Sequence, residues 1–166
     1  CVIENEDEFS ENDIEAPAGA LFNITDQKTL YSKNANDERE IASITKIMTA
    51  LLAMKYADLS QEVTISYTPE GLESSAVLCG FEQGDKMMLS SLLSAALIYS
   101  GNDAAIDIAI AVAGSQEAFV DMMNQESKEL MTSHTHFANP TGLTQSKHYS
   151  SVYDVYLMFQ ECLKYP

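Results

Sequence analysis

Ser43-Ile44-Thr45-Lys46 sets a hydroxyl and an amine three residues apart, where the sequence turns helical. Residues at that spacing share one helix face, so the amine can reach the hydroxyl. A serine hydroxyl is a weak nucleophile until a base takes its proton. A lysine is that base only if its pKa falls well below about 10.4. Burial and the positive end of a helix both push it down. The plain alternative is a capping serine beside a solvated lysine. Ser-x-x-Lys arises by chance roughly once per 200–250 positions, so alone it carries little. It has company: Ser100-Gly101-Asn102 falls between two apolar, helical stretches. A short glycine turn can present both polar side chains into a cleft. There a hydroxyl could relay a proton and an amide could hold a substrate carbonyl. Taken alone, the tripeptide reads more simply as a helix–helix turn with Asn102 as N-cap.

Other reactive side chains point less clearly. His134 and His136 form His-x-His, but no third ligand cluster accompanies them, so a loop role is expected and no metal. Tyr99 precedes Ser100; packing is its default and lining the cleft its alternative. Cys1, Cys79 and Cys162 lack metal-ligand spacing, and an odd number is no disulfide framework. The eight methionines read as core filler.

The elements that must position these groups follow from periodicity. Residues 18–24 and 28–32 flank Thr25-Asp26-Gln27 and predict a β-hairpin. From Ser43, Ile47, Leu51 and Met54 recur at helical spacing, with Met48 and Leu52 beside them. Residues 62–66 suggest a short strand, and 67–88 look irregular. Helices are predicted at about 89–98, 103–113 and 116–131. Asn139-Pro140-Thr141-Gly142 is a strong turn signal, and Ser150 or Ser151 can cap a last helix running to about Leu163. The predicted class is α+β. A two-stranded hairpin is marginal alone, so either helices cover it or strands are missing.

The 166 residues suit one domain, and 46% hydrophobic against 20% charged residues argues against wholesale disorder. Lys+Arg count 9 and Asp+Glu 25, a formal charge of −16. So acidic a chain offers nucleic acid no electrostatic footprint and an anionic membrane no basic patch. Seven of the acids fall in residues 1–16, which contain no Lys or Arg and read as a solvated tail. The fold is expected over residues 17–166.

Together these elements resemble the penicillin-binding serine D-alanyl-D-alanine carboxypeptidases, the low-molecular-mass class. The likeness rests on several segments in the family's order. They are Leu30-Tyr31-Ser32-Lys33-Asn34-Ala35, then Ala42 to Ala50 around the Ser-x-x-Lys step, then Gly101-Asn102-Asp103-Ala104-Ala105. Phe119-Val120-Asp121-Met122-Met123-Asn124, His136 to Leu143, and Tyr149-Ser150-Ser151 follow. The family's third motif, Lys-Thr-Gly or a close variant on a later strand, is not in this sequence.

The resemblance implies a serine β-lactamase/transpeptidase-like fold: an N-terminal hairpin and the helical region, without the C-terminal strands of the sheet. It implies that Ser43 is the nucleophile toward a peptidoglycan stem peptide ending in D-Ala-D-Ala, and that Lys46 is the general base. Ser100 would relay a proton to the leaving D-alanine, and Asn102 would orient Lys46 and bind substrate. The Ser43 N–H would supply half of an oxyanion hole. β-Lactams would acylate Ser43, and no cofactor is needed. An extracytoplasmic place in a bacterial envelope follows. Cys1 before an acidic linker looks like the lipidated first residue of a mature lipoprotein, or else simply where the chain begins. The missing strands could come from a second polypeptide. Two alternatives stand beside this one. A class A-like β-lactamase has Ser-Asp-Asn in place of Ser-Gly-Asn and needs a Glu to activate the deacylating water. The 134–148 loop contains no Glu or Asp. A non-catalytic wall-binding scaffold of the same fold is the other.

Overall fold

A computed structural model describes residues 14–67, 72 and 74–165. Most of the acidic tail (1–13, with Cys1) and residues 68–71 and 73 of the irregular stretch lie outside the described residues. The first hairpin pairs β1 (Gly19–Asn23) with β2 (Lys28–Lys33), antiparallel, with a bulge between Leu21 and Phe22. Its turn is built by Asn23, whose Oδ1 accepts from the Thr25 and Asp26 amides while its Nδ2 donates to Asp26. A 3-10 turn (Ala42–Thr45) then runs into α1 (Lys46–Tyr56). β3 (Glu62–Thr64) pairs with β4 (Lys86–Met88), which leads directly into α2 (Leu89–Ile98). α3 (Asn102–Ala113), α4 (Gln116–Glu129) and α5 (Val152–Cys162) follow. Among the described residues there are thus five α-helices and four short strands, and none of the helices is long and apolar enough to cross a membrane.

α1 is the central helix. Met48, Ala50, Leu51, Leu52 and Ala53 are all buried, and it packs against each of the other four helices. Its apolar residues divide between two clusters. Met48, Leu51 and Leu52 join Phe119, Met123, Phe137 and Met158. Ala53 joins Ile65, Leu89, Leu92, Ala104 and Ile108. Alanines 104, 105 and 109 on α3 are fully buried, and such small side chains let its backbone come close to its neighbours. Helix ends follow their sequence signals. Ser115 and Ser151 cap α4 and α5 by accepting from Ala118 N and Asp154 N. Gly114 ends α3 in the left-handed conformation.

The first hairpin is covered on one side by α5, where Phe22 stacks on Tyr156 at 4.2 Å and meets Tyr153 edge-on. Leu21 remains 48% exposed beside a hollow lined by Ile14, Ala18, Ala20 and Tyr31.

Three expectations need correction. The stretch read as irregular holds β4, a three-residue strand of Lys, Met and Met that forms only because β3 pairs with it. Asn102 is no N-cap: Gly101 takes that place, and Asn102 is the first helical residue. Helix formation near Ser43 is as expected in place but not in kind, since the serine sits on the 3-10 turn and the α-helix begins at Lys46.

Candidate active site

The 3-10 turn has three residues per turn, so side chains at i and i+3 eclipse. Ser43 and Lys46 therefore meet: Lys46 Nζ lies 3.1 Å from Ser43 Oγ. The serine is exposed while the lysine is only 2% exposed. From the other motif, Ser100 Oγ donates to Ser43 Oγ at 2.8 Å, and Asn102 Oδ1 lies 2.9 Å from Lys46 Nζ. Lys46 Nζ to Ser100 Oγ is a longer 3.5 Å. The four residues singled out by the sequence are thus one cluster.

Strained backbone holds both halves. Ala42 (φ 44°) and Ser100 (φ 64°) are left-handed without being glycine, at a cost of about 1–3 kcal/mol each. The Ala42 turn rests on Gly142 (φ 86°), where a Cβ would lie 1.8 Å from the Ala42 carbonyl oxygen. Gly101 is needed for close approach: a Cβ there would fall 2.3 Å from Cys79 Sγ.

Sequence reasoning missed two backbone carbonyls. Lys46 Nζ donates to Thr141 O at 2.9 Å. The loop that offers this carbonyl is shaped by Asn139, whose Oδ1 accepts from Thr141 N, Thr141 Oγ1 and Gly142 N. Thr49 Oγ1 fastens the same loop by donating to Pro140 O. The turn signal marked this loop but gave it no role. The second is Val77 O, which accepts from both Asn102 N and Asn102 Nδ2. A carbonyl only accepts, so the Asn102 NH₂ must face Val77 and its oxygen must face Lys46. Buried Asp103 holds the segment just after Val77 in place by accepting from the Cys79 and Gly80 amides.

These partners fix what Lys46 can do. Burial lowers its pKa to about 8, against a smaller opposing influence from Cys79. The thiol itself is pushed up to about 11, chiefly by burial, and is neutral at pH 7. A neutral amine has two hydrogens and one lone pair. Asn102 Oδ1 and Thr141 O take the hydrogens, and the lone pair is left for the Ser43 hydroxyl. Ser43 Oγ can then give its proton to Lys46 while accepting from Ser100. The arrangement suits an activated serine nucleophile with a lysine base.

The remaining candidates sit elsewhere. Tyr99, expected to pack, is 62% exposed. His136 Nδ1 meets Lys147 O, and His134 lies 3.8 Å from Glu38. Among the described residues no three His, Cys, Asp or Glu side chains gather as a metal site would need.

Residues 5–166 match the family described as D-alanyl-D-alanine carboxypeptidase. The D-alanyl-D-alanine carboxypeptidase DacF of Bacillus subtilis is 41% identical over 156 residues, covering 91% of this chain and 40% of its own length. The carboxypeptidase DacD of Francisella tularensis superposes with a TM-score of 0.83 at 28% identity, over 94% of this chain and 38% of that one. A mutant of the Streptomyces K15 DD-transpeptidase superposes with a TM-score of 0.85 at 28% identity, over 91% and 62% respectively. The fold is that of these transpeptidase-like enzymes. The chain spans about 40% of the length of the curated relatives it matches.

Proposed function

The chain belongs to the D-alanyl-D-alanine carboxypeptidase family, and from that premise we propose that the protein is a serine-type D-alanyl-D-alanine carboxypeptidase that trims peptidoglycan stem peptides. The observation that carries this reading is the place of Lys46 Nζ, 2.9 Å from each of two acceptor-only oxygens, Asn102 Oδ1 and Thr141 O, and 3.1 Å from Ser43 Oγ.

In this reading neutral Lys46 takes the Ser43 proton as Ser43 Oγ attacks the carbonyl carbon between the two D-alanines. The oxyanion that forms is met by the Ser43 N–H and by a second donor. Ser100, hydrogen-bonded to Ser43, passes a proton to the leaving D-alanine nitrogen. Water then hydrolyses the acyl-enzyme. Asn102 orients Lys46 and binds the substrate amide. The second donor and a Lys-Thr-Gly motif are not among these 166 residues. The reading assigns them to further strands beside the first hairpin, from more of this chain or from a second polypeptide. It also places the protein outside the cytoplasm, in the envelope, with Cys1 as a candidate lipid anchor. β-Lactams, as substrate mimics, acylate Ser43.

The test is labelled penicillin on the full-length protein. A carboxypeptidase keeps the label, and Ser43→Ala abolishes it with the fold intact. Rapid release of the label would favour a β-lactamase, and no uptake a scaffold. Label on Ser43→Ala protein by intact mass would place the nucleophile elsewhere.

A further inference from the structure

His148 has no part in the chemistry above, yet it is only 5% exposed and both its ring nitrogens are engaged. Nδ1 lies 3.0 Å from the Ala138 backbone nitrogen, and Nε2 lies 2.7 Å from Thr45 Oγ1. A backbone N–H can only donate, so Nδ1 must be bare and the proton of the neutral ring must sit on Nε2. That N–H then donates to Thr45 Oγ1. The Phe137 ring packs against the imidazole at 5.9 Å and keeps it in place.

The two ends of this ring join the two halves of the lysine's environment. Thr45 is the residue between Ile44 and Lys46, on the turn that carries Ser43. Ala138 opens the loop whose Thr141 carbonyl receives Lys46 and whose Gly142 supports Ala42. We infer that His148, as the neutral Nε2–H tautomer, is a positioning residue: it locks Thr45, and with it the Ser43–Lys46 pair, onto the 138–142 loop. This rests on the reading of Ser43 and Lys46 as nucleophile and base.

The lock is sensitive to acid. A second ring proton would sit on Nδ1 and face the Ala138 N–H, donor against donor, so the bond would be lost. Burial, and then the nearby charge of His136, hold the imidazole below its ordinary pKa of 6.5. The other titratable neighbours are Glu40, which lines the same small hollow, Lys147 and Tyr149 on either side of His148 in the chain, and Lys46 next to its partner Thr45. The lock therefore persists at neutral pH and fails in acid.

Penicillin acylation rates of the full-length protein, as wild type, His148→Asn, Thr45→Val and the double variant, across about pH 5–8 test the inference. Each single variant should acylate at least about ten-fold more slowly at neutral pH, because a small displacement of the base suffices for that. The double variant should be no slower than the singles, since one link is being cut twice. The His148→Asn profile should lack an acid-side ionisation that the wild type shows. Nitrogen-15 spectra of histidine-labelled wild type add a readout that needs no variant to fold: His148 should be the Nε2–H tautomer at neutral pH. An Nδ1–H or charged ring there, or a His148→Asn protein with unchanged rate and pH profile, would overturn the inference alone. A wild type that takes no penicillin would overturn it together with the functional reading.

Discussion

Ser100 Oγ donates to Ser43 Oγ at 2.8 Å across 57 residues of sequence. Neither serine is placed by its own helix. Ser43 stands on a 3-10 turn after left-handed Ala42, and Ser100 is itself left-handed before α3. Ala42 and Ser100 are held in these costly backbone conformations by packing from elsewhere: Gly142 against Ala42, and Cys79 and Asp103 against Gly101, the residue after Ser100. Strain of this kind persists only where the surroundings over-determine it. The cleft is thus assembled by loops that α1 and α3 fasten.

Acylation of the full-length protein should rise with pH through an ionisation near 8, the pKa to which burial lowers Lys46. At pH 7 only about one tenth of the lysine would be neutral. Lys46→Arg keeps the charge but cannot lose its proton in this range, so acylation should fall by several orders of magnitude at every pH. Single-turnover rates with labelled penicillin check this. An arginine variant with normal rates would remove Lys46 from the role of base.

Asn102→Asp keeps the size of the side chain and places a carboxylate against Lys46. An adjacent opposite charge raises a lysine's pKa by about 1–3 units. The ionisation in the acylation profile should move above 8, and the rate at pH 7 should drop by roughly ten-fold or more. Asn102→Ala should also cost about 1–3 kcal/mol of stability, because it leaves a buried amine short of an acceptor. An unshifted profile in Asn102→Asp would show that this residue does not control the base.

The side chains of this site are legible in the sequence and its carbonyls are not. Ser43, Lys46, Ser100 and Asn102 carry chemistry that marks them out at short spacings. Thr141 O and Val77 O are groups every residue has, so only the folded chain shows which ones face Lys46 and Asn102. The same limit explains Asn102 as N-cap. Asparagine favours that position, yet the helix already begins at Asn102, whose side chain is spent on Lys46 and Val77, and Gly101 stands at the cap against Cys79. Periodicity found α1 and the first hairpin, where apolar residues repeat over several turns or pairs. It missed β4, whose three residues are too few to show a period.

Gly142→Ala should fail on two counts. The new Cβ would meet the Ala42 carbonyl oxygen at 1.8 Å, and φ is 86°. Left-handed backbone alone costs alanine about 1 kcal/mol relative to glycine. The clash adds to it and falls on the turn that carries Ser43. Thermal unfolding should drop by several degrees, and acylation should fall further than in a Gly114→Ala control, whose Cβ meets nothing within 4 Å. Equal acylation in the two variants would show that the Ala42 contact does not position Ser43.

Lys46 should also leave a mark on stability that has nothing to do with catalysis. Its pKa is about 8 when folded and 10.5 in the unfolded chain, because burial penalises the charged form. Between those values the unfolded state holds a proton that the folded state has released, so stability rises with pH across that window. Below about pH 8 both states are charged, and the full cost of burying the ammonium remains, on the order of 3 kcal/mol. Lys46→Met replaces the amine with an apolar chain of similar length, though it leaves Asn102 Oδ1 and Thr141 O without their donor. If desolvation of the charge outweighs those lost bonds, the variant is the more stable protein at pH 7, and its advantage shrinks as pH rises from 8 toward 10.5. Urea unfolding of Ser43→Ala and of Ser43→Ala combined with Lys46→Met, at pH 7 and pH 10, isolates the effect in proteins without the proposed nucleophile. The expected result is a stability difference that favours methionine more at pH 7 than at pH 10. A difference independent of pH would mean that Lys46 titrates alike in the folded and unfolded chain, and the case for a neutral amine facing Ser43 would lose its electrostatic ground.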